Sequence, residues 1–163
     1  RHSRSDIFGI RRYWMLLRRV VDKKLGDLLI ERGIINQQQL EEALSFQKEK
    51  GGLIGESLVE LGFAKEEEIA HALTAQYGFP FLSLGNYDIN LEVISLIPGR
   101  MVRQYFLMPV DKVGNSLSIA MSNPLNVNAI EDVELLSGCS VQVFVTTSSD
   151  IKKAIVKYYR DKE

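Results

Sequence analysis

One segment says nearly the same thing twice. Residues 24–47, KLGDLLIERGIINQQQLEEALSFQ, are followed by the spacer KEKGG and then by residues 53–76, LIGESLVELGFAKEEEIAHALTAQ. At an offset of 29 residues, seven of the 24 positions are identical: Gly26/Gly55, Leu29/Leu58, Glu31/Glu60, Gly33/Gly62, Ala43/Ala72, Leu44/Leu73 and Gln47/Gln76. A duplicated stretch of this length commits the chain to two similar units that bury apolar faces together. In the first copy Leu25, Leu28, Leu29 and Arg32 follow helical spacing, and Gly33 suits a left-handed helix end. Asn36 then reads as an N-cap with Gln39 three residues on, as in a capping box, and Leu40, Ala43, Leu44 and Gln47 continue one face. The second copy repeats this with Leu58, Gly62, Ile69, Ala72, Leu73 and Gln76. There Glu66, Glu67 and Glu68 fill a first turn, where negative charge suits the helix dipole. Each copy is therefore expected to be a pair of short helices.

The flanks differ from the repeat. Residues 1–24 carry eight Lys/Arg and two Asp, a net of +6, whereas the rest of the chain nets −7. Within the basic stretch, residues 10–21 put Ile10, Tyr13, Trp14, Leu17, Val20 and Val21 on one helical face and four Arg on another. That pattern fits a membrane-surface or partner-docking helix, or a linker helix packed on its own domain. After residue 77 the texture alternates. YGFPFLSL is a turn and a short extended stretch, and residues 91–104 read as one helix interrupted by Pro98. Phe106–Val113 and Ser116–Met121 form a hairpin around Gly114-Asn115. Residues 126–137 suit a helix ended by Gly138, SVQVFVTT a strand, and SSDIKKAIVKYY a last helix capped at Ser148 or Ser149. The expected fold is α+β: a bundle of short helices from the tandem repeat, then a small α/β subdomain with a three- to four-stranded sheet. The expected boundaries are 1–22, 23–77 and 78–163.

The inventory of reactive residues is thin. Nothing matches the phosphate-loop pattern G-x-x-x-x-G-K-[ST]. His2 and His71 lie far apart in sequence without a second ligand at metal spacing, so no metal is expected. Cys139, the single cysteine, reads as a small buried residue in a reducing compartment. No apolar run approaches a membrane span, and a net charge of −1 does not point to nucleic acid. A binding module is expected, not an enzyme. Helix caps and Leu stripes leave three features unexplained. Gly26 and Gly55 near helix starts are costly unless a backbone must approach something closely. Gln47 and Gln76 close both copies, and the spacer keeps the copies in register. Together they suit a ligand lying across helix N-termini.

The tandem pattern R-L-G-x-x-L-x-x-x-G-x6-L-x-x-x-L-x-x-Q with its spacer resembles the MshEN domain, the N-terminal domain of type II secretion and type IV pilus assembly ATPases. YGFPF, LMPV, SIAMSNP and VTTSSDI resemble its second half, so the likeness covers about residues 22–162. The resemblance implies a cytoplasmic bacterial regulatory domain that binds cyclic di-GMP, one motif to each half of the two-fold ligand. Carried over residue by residue, the implied contacts are Lys24, Leu25, Gly26, Leu28, Leu29, Leu40, Leu44 and Gln47 in the first copy. In the second they are Leu53, Ile54, Gly55, Leu58, Leu73 and Gln76, and Asn123 joins them from the second half. A secretion or pilus ATPase and an inner-membrane platform protein are the implied partners. The alternative is a protein-docking module of the same fold that binds no nucleotide. Lys24 stands where the pattern has Arg, without the planar guanidinium. Leu53 holds the same place in the second copy. Asn123-Pro124 stands where the pattern has Asp-Pro, which replaces two acceptors by one acceptor and a donor. A double change, Gly26→Glu with Gly55→Glu, is expected to abolish binding and keep the helices.

Overall fold

The structure, a computed structural model, describes residues 19–160. The amphipathic stretch 10–21, with its expected membrane or partner contact, lies outside the described residues except for 19–21, which belong to the first helix. Helix α1 (residues 19–31) and α2 (Gln37–Lys50) form the first pair; α3 (Ile54–Glu60) and α4 (Glu66–Tyr77) form the second. The repeat holds at the level of single hydrogen bonds. Ile34 N donates to Leu29 O at 2.9 Å, and 29 residues later Phe63 N donates to Leu58 O at 2.9 Å. Gly33 and Gly62 close their helices at φ 73° and 76°, a backbone region that L side chains enter at a cost. The capping box is present: Gln39 N donates to Asn36 Oδ1 at 2.8 Å, and Asn36 N donates to Gln39 Oε1 at 2.9 Å. In the second copy Lys65 N donates to Glu68 Oε1 at 2.8 Å in the equivalent place.

The copies part at their starts. Helix α1 runs straight through Gly26, so only Gly55 stands near a helix start and the expectation for Gly26 fails. Ahead of the first copy the sequence is helix-compatible, whereas ahead of the second Gly51 and Gly52 take φ 76° and 85° and stop any helix until Ile54. Gly26 has a different reason to be glycine. A Cβ there would lie 2.6 Å and 2.7 Å from the two methyls of Leu40, so this is where α1 crosses α2.

Helices α5 (Leu91–Ile94) and α6 (Gly99–Tyr105) replace the single expected helix, and Pro98 is the N-cap of α6. Phe106 ends α6 at φ 54°, so strand β1 spans Leu107–Val113 and excludes Phe106. It pairs antiparallel with β2 (Ser116–Met121), and β2 pairs parallel with β3 (Ser140–Val145) through the crossover helix α7 (Val127–Ser137). The sheet is three-stranded in the order β1-β2-β3. A further parallel bridge joins Phe81 to Val145, with Leu82 N donating to Val145 O at 2.9 Å. Strand β3 stops at Val145, two residues short of expectation. Thr147, not Ser148 or Ser149, caps the last helix α8 (Ser148–Tyr158), its Oγ1 accepting from Asp150 N at 3.3 Å.

Two apolar clusters result. One, with Leu107, Leu117, Ile119 and Ile151, lies around the sheet. The other, with Leu29, Leu40, Leu58 and Leu73, fills the helix pairs and takes in Val145 from the end of β3. Val145 thus pins the sheet to the helices. Beside it Ser149 N donates to Glu66 Oε1 at 3.0 Å, Ser149 Oγ donates to Glu66 Oε2, and Lys152 pairs with Glu56.

Candidate functional site

Between the helical part and the sheet part opens a cleft of about 500 Å³, within the usual range for small-molecule sites. Its apolar floor is Leu25, Ile54 and Ile69. Its rim comes from three directions: Gly52–Glu56 at the start of the second copy, Arg103–Phe106 at the end of α6, and the loops holding Asn123 and Thr146–Ser148. The first turns of α3 and α8 both border it, and such turns carry N–H groups without intrahelical acceptors.

Of the fifteen residues expected at a site, the cleft brings together Leu25, Leu53, Ile54, Gly55 and Asn123. Leu28, Leu29, Leu40, Leu58 and Leu73 are buried in the helical core. Gly26 lies against Leu40. Lys24 and Gln76 are exposed and do not line the cleft. Leu44 and Leu73, identical in the repeat, differ in burial at 36% and 0% exposure. Gln47 stands behind the rim. Its Nε2 donates to Asp22 Oδ2 at 3.2 Å and to Gly52 O at 3.0 Å, and both of those residues line the cleft. Gln47 therefore ties α1 to the loop that opens the second copy.

Sequence reasoning missed the wall supplied by the sheet part: Arg103, Tyr105, Asn126, Asn128 and Thr146. No local pattern marks them, because separate segments meet there only in the fold. The N-cap role of Asn126, whose Oδ1 accepts from Ala129 N at 3.3 Å, was the one available signal. Three carboxylates also border the space. Asp22, 7% exposed, is held by Gln47; Glu56 by Leu53 N and Lys152; Glu66 by Ser149. Arg103 is the one cation among the lining residues. Thr146 is 1% exposed, and its Oγ1 has no hydrogen-bond partner among the described residues. A buried hydroxyl left unpaired costs about 1–3 kcal/mol, which a polar group in the cleft would offset.

Tyr105 donates its phenol proton to Asp132 Oδ2. Burial first, then the hydrogen bond and negative charge of Asp132, push its phenol above the ordinary tyrosine value. The folded state therefore holds this proton more tightly than the unfolded chain does. Its contribution is complete below about pH 10 and falls as pH rises beyond. Tyr105→Phe is expected to lower stability by about 1 kcal/mol at neutral pH. That deficit should shrink by about pH 10.5. Urea unfolding at the two pH values measures this, and an unchanged deficit would refute it.

The MshEN domain sequence profile matches residues 77–163. The type IV pilus assembly ATPase PilB of Myxococcus xanthus is 34% identical over 139 residues, covering 85% of this chain and 25% of the relative. PilB of Thermus thermophilus is 31% identical over 140 residues, covering 85% of this chain and 16% of the relative. The chain thus spans a quarter or less of these relatives' length. A structure of MshE with cdg, cyclic di-GMP, superimposes with a TM-score of 0.64 at 29% identity, covering 83% of this chain and 98% of that one. The N-terminal domain of XpsE gives a TM-score of 0.66 at 25% identity, covering 85% and 95%. Both coverages are too long to be confined to residues 77–163, so the likeness extends into the tandem repeat. On profile, sequence and fold together, this chain belongs to the MshEN domain family.

Proposed function

We propose that the chain is a cyclic di-GMP-binding regulatory domain of a bacterial secretion or pilus assembly system, cytoplasmic and working with an assembly ATPase. A membrane platform protein is a further partner in this reading. The carrying observation is the cleft itself, where the start of the second motif copy meets the Asn123 loop on a fold shared with MshE, whose structure holds cyclic di-GMP. The first turn of α3, at Ile54 and Gly55, presents backbone N–H groups to a phosphate, whereas that of α8 is already occupied by the Glu66 carboxylate. Leu25 and Ile69 offer apolar surface to a base, Arg103, whose Nη2 donates to Tyr159 O, brings positive charge, and the Thr146 hydroxyl, without a hydrogen-bond partner among the described residues, offers a polar contact. In this reading the second copy carries the close contacts. Lys24 contributes charge from outside the cleft, and the buried leucines of both copies shape the helices beneath it.

The test is isothermal titration with cyclic di-GMP, with GTP and cyclic di-AMP as controls. Saturable one-to-one binding below about 10 μM, roughly −7 kcal/mol, is the expected result. At a hundredfold excess over Kd the ligand should add about 2.7 kcal/mol of stability, visible as a raised melting temperature. No heat and no melting shift would reject a nucleotide ligand. The docking module is then the reading that survives. One observation favours it: Asp22, Glu56 and Glu66 make the cleft rim acidic, which suits a basic segment of a partner protein better than a dianion.

A further inference from the structure

Two helices of the sheet part turn opposite charge to solvent. On α7 the exposed residues Val127, Glu131, Glu134 and Leu135 recur at i, i+4, i+7 and i+8, so they share one face, and exposed Leu136 flanks it. Leu135 is 83% exposed, and among the described residues no other helix or strand shows as many exposed large apolar side chains as α7. On α8 and just past its end, exposed Lys152, Lys153, Val156, Lys157 and Arg160 recur at i, i+1, i+4, i+5 and i+8 and also share a face, with Val156 69% exposed. Helix α7 contains no Lys or Arg, and the α8 face contains no Asp or Glu. Lys152 pairs with Glu56, and Lys157 comes within 3.9 Å of Asp88. Among the described residues Glu131, Glu134, Lys153 and Arg160 have no ion-pair partner. Helix α7 packs on β3, whereas α8 packs on β1, β2 and α6, and among the described residues no ion pair joins the two faces.

A single exposed leucine is ordinary protein surface. Three large apolar side chains set among unpaired carboxylates on one helix are a face that suits a partner. The surface that fits it carries cations around an apolar residue, and α8 has that composition. The lengths match too: residues 127–135 and 152–160 each span about 12 Å of helix axis. We propose that the α7 face of one copy of this chain docks on the α8 face of a second copy. Such a contact is heterologous. Each copy in a pair keeps one unused face, so association continues head to tail. Helix α7 is about 16 Å long, too short to cover the roughly 800 Å² per partner of a standard stable interface. The contact is therefore weak, with a Kd on the order of 0.1–1 mM, and its charges steer and orient it. It uses no cleft residue and stands independently of the cyclic di-GMP reading.

Sedimentation velocity of the full chain up to about 2 mM, in low and in high salt, tests the proposal. The weight-average sedimentation coefficient should rise with concentration at about 50 mM salt and rise at least about threefold less at about 500 mM, where screening is strong. Charge reversal identifies the faces. Glu131→Lys with Glu134→Lys on α7, and Lys153→Glu, Lys157→Glu and Arg160→Glu on α8, change only exposed side chains, so both variants should keep the native circular dichroism spectrum. Each variant alone sets like charge against like and should associate at least about tenfold more weakly than the native chain. Their equimolar mixture pairs opposite charges again and should regain association. A native chain that stays monomeric at 2 mM in low salt would overturn the proposal and leave both faces to a foreign partner. Undiminished association in either variant alone would overturn it in favour of another surface; the α8 variant keeps the basic residues 1–24, so association through them would show there. A mixture that stays as weak as its components would overturn it as well.

Discussion

Gly26→Glu should lower the melting temperature by roughly 6–12 °C, the shift that about 3 kcal/mol produces in a domain of this size. The cost has two sources. A Cβ at position 26 would stand 2.6 Å from Leu40 Cδ2 and 2.7 Å from Cδ1, and Leu40 is itself buried in the helical core. Forcing extra atoms into such a contact costs about 1–3 kcal/mol. The carboxylate must also leave water beside Leu25, Leu29 and Leu40, which adds to the cost unless α1 and α2 separate. Gly26→Ala isolates the first term. It gains about 1 kcal/mol of helix propensity and loses most or all of that to the Leu40 contact, so its melting temperature should fall between native and Gly26→Glu. Thermal melts followed by circular dichroism decide the matter. A native melting temperature for Gly26→Glu would mean that α1 and α2 do not meet at this glycine.

The same glycine shows what the sequence could and could not reveal. Helix ends are local, and they were readable: Gly33, Gly62, the Asn36 box and the Glu66–Glu68 turn all form as their residue types require. So were the three strands and the antiparallel hairpin with its Gly114 turn, because alternation and turn chemistry are also local. The start of α1 was not readable from the repeat alone. Two motifs that share seven of 24 positions acquire different helix starts because one follows a helical stretch and the other follows two glycines at positive φ. Gly26 and Gly55 look alike in an alignment of the copies, yet one meets a leucine and the other borders a cleft.

The site was half legible for a related reason. The family resemblance points to Leu25, Leu53, Ile54, Gly55 and Asn123, and these residues line the cleft. The wall opposite comes from α6, the β2–α7 loop and the β3–α8 junction, which packing alone brings to one place. Glu66 is a further instance. In the sequence it reads as one more acid in a helix first turn, yet its carboxylate receives both the N–H and the hydroxyl of Ser149, 83 residues away. It sits at the N-termini of α4 and α8 together, and so holds the two sides of the cleft at a fixed spacing.

Gly55→Glu separates binding from folding, which the double change at both glycines would not do. A Cβ at position 55 meets only Ile69 Cδ1, at 3.7 Å, an ordinary contact. The position is in the first turn of α3, where Glu is a better helix former than Gly and its charge suits the dipole. Stability should therefore stay within about 1 kcal/mol of native, whereas Gly26→Glu loses about 3 kcal/mol. Binding should respond very differently. The new side chain occupies cleft volume and adds a fourth carboxylate to Asp22, Glu56 and Glu66. At about 4 Å and an effective dielectric of about 20, one such charge opposes a phosphate by roughly 4 kcal/mol. A loss of at least about a hundredfold in cyclic di-GMP affinity is the conservative expectation, since a hundredfold needs only about 2.7 kcal/mol. Gly55→Ala, which adds a methyl and no charge, should lose far less. Native affinity in a folded Gly55→Glu protein would place the nucleotide outside this cleft, leaving the acidic rim to a protein partner.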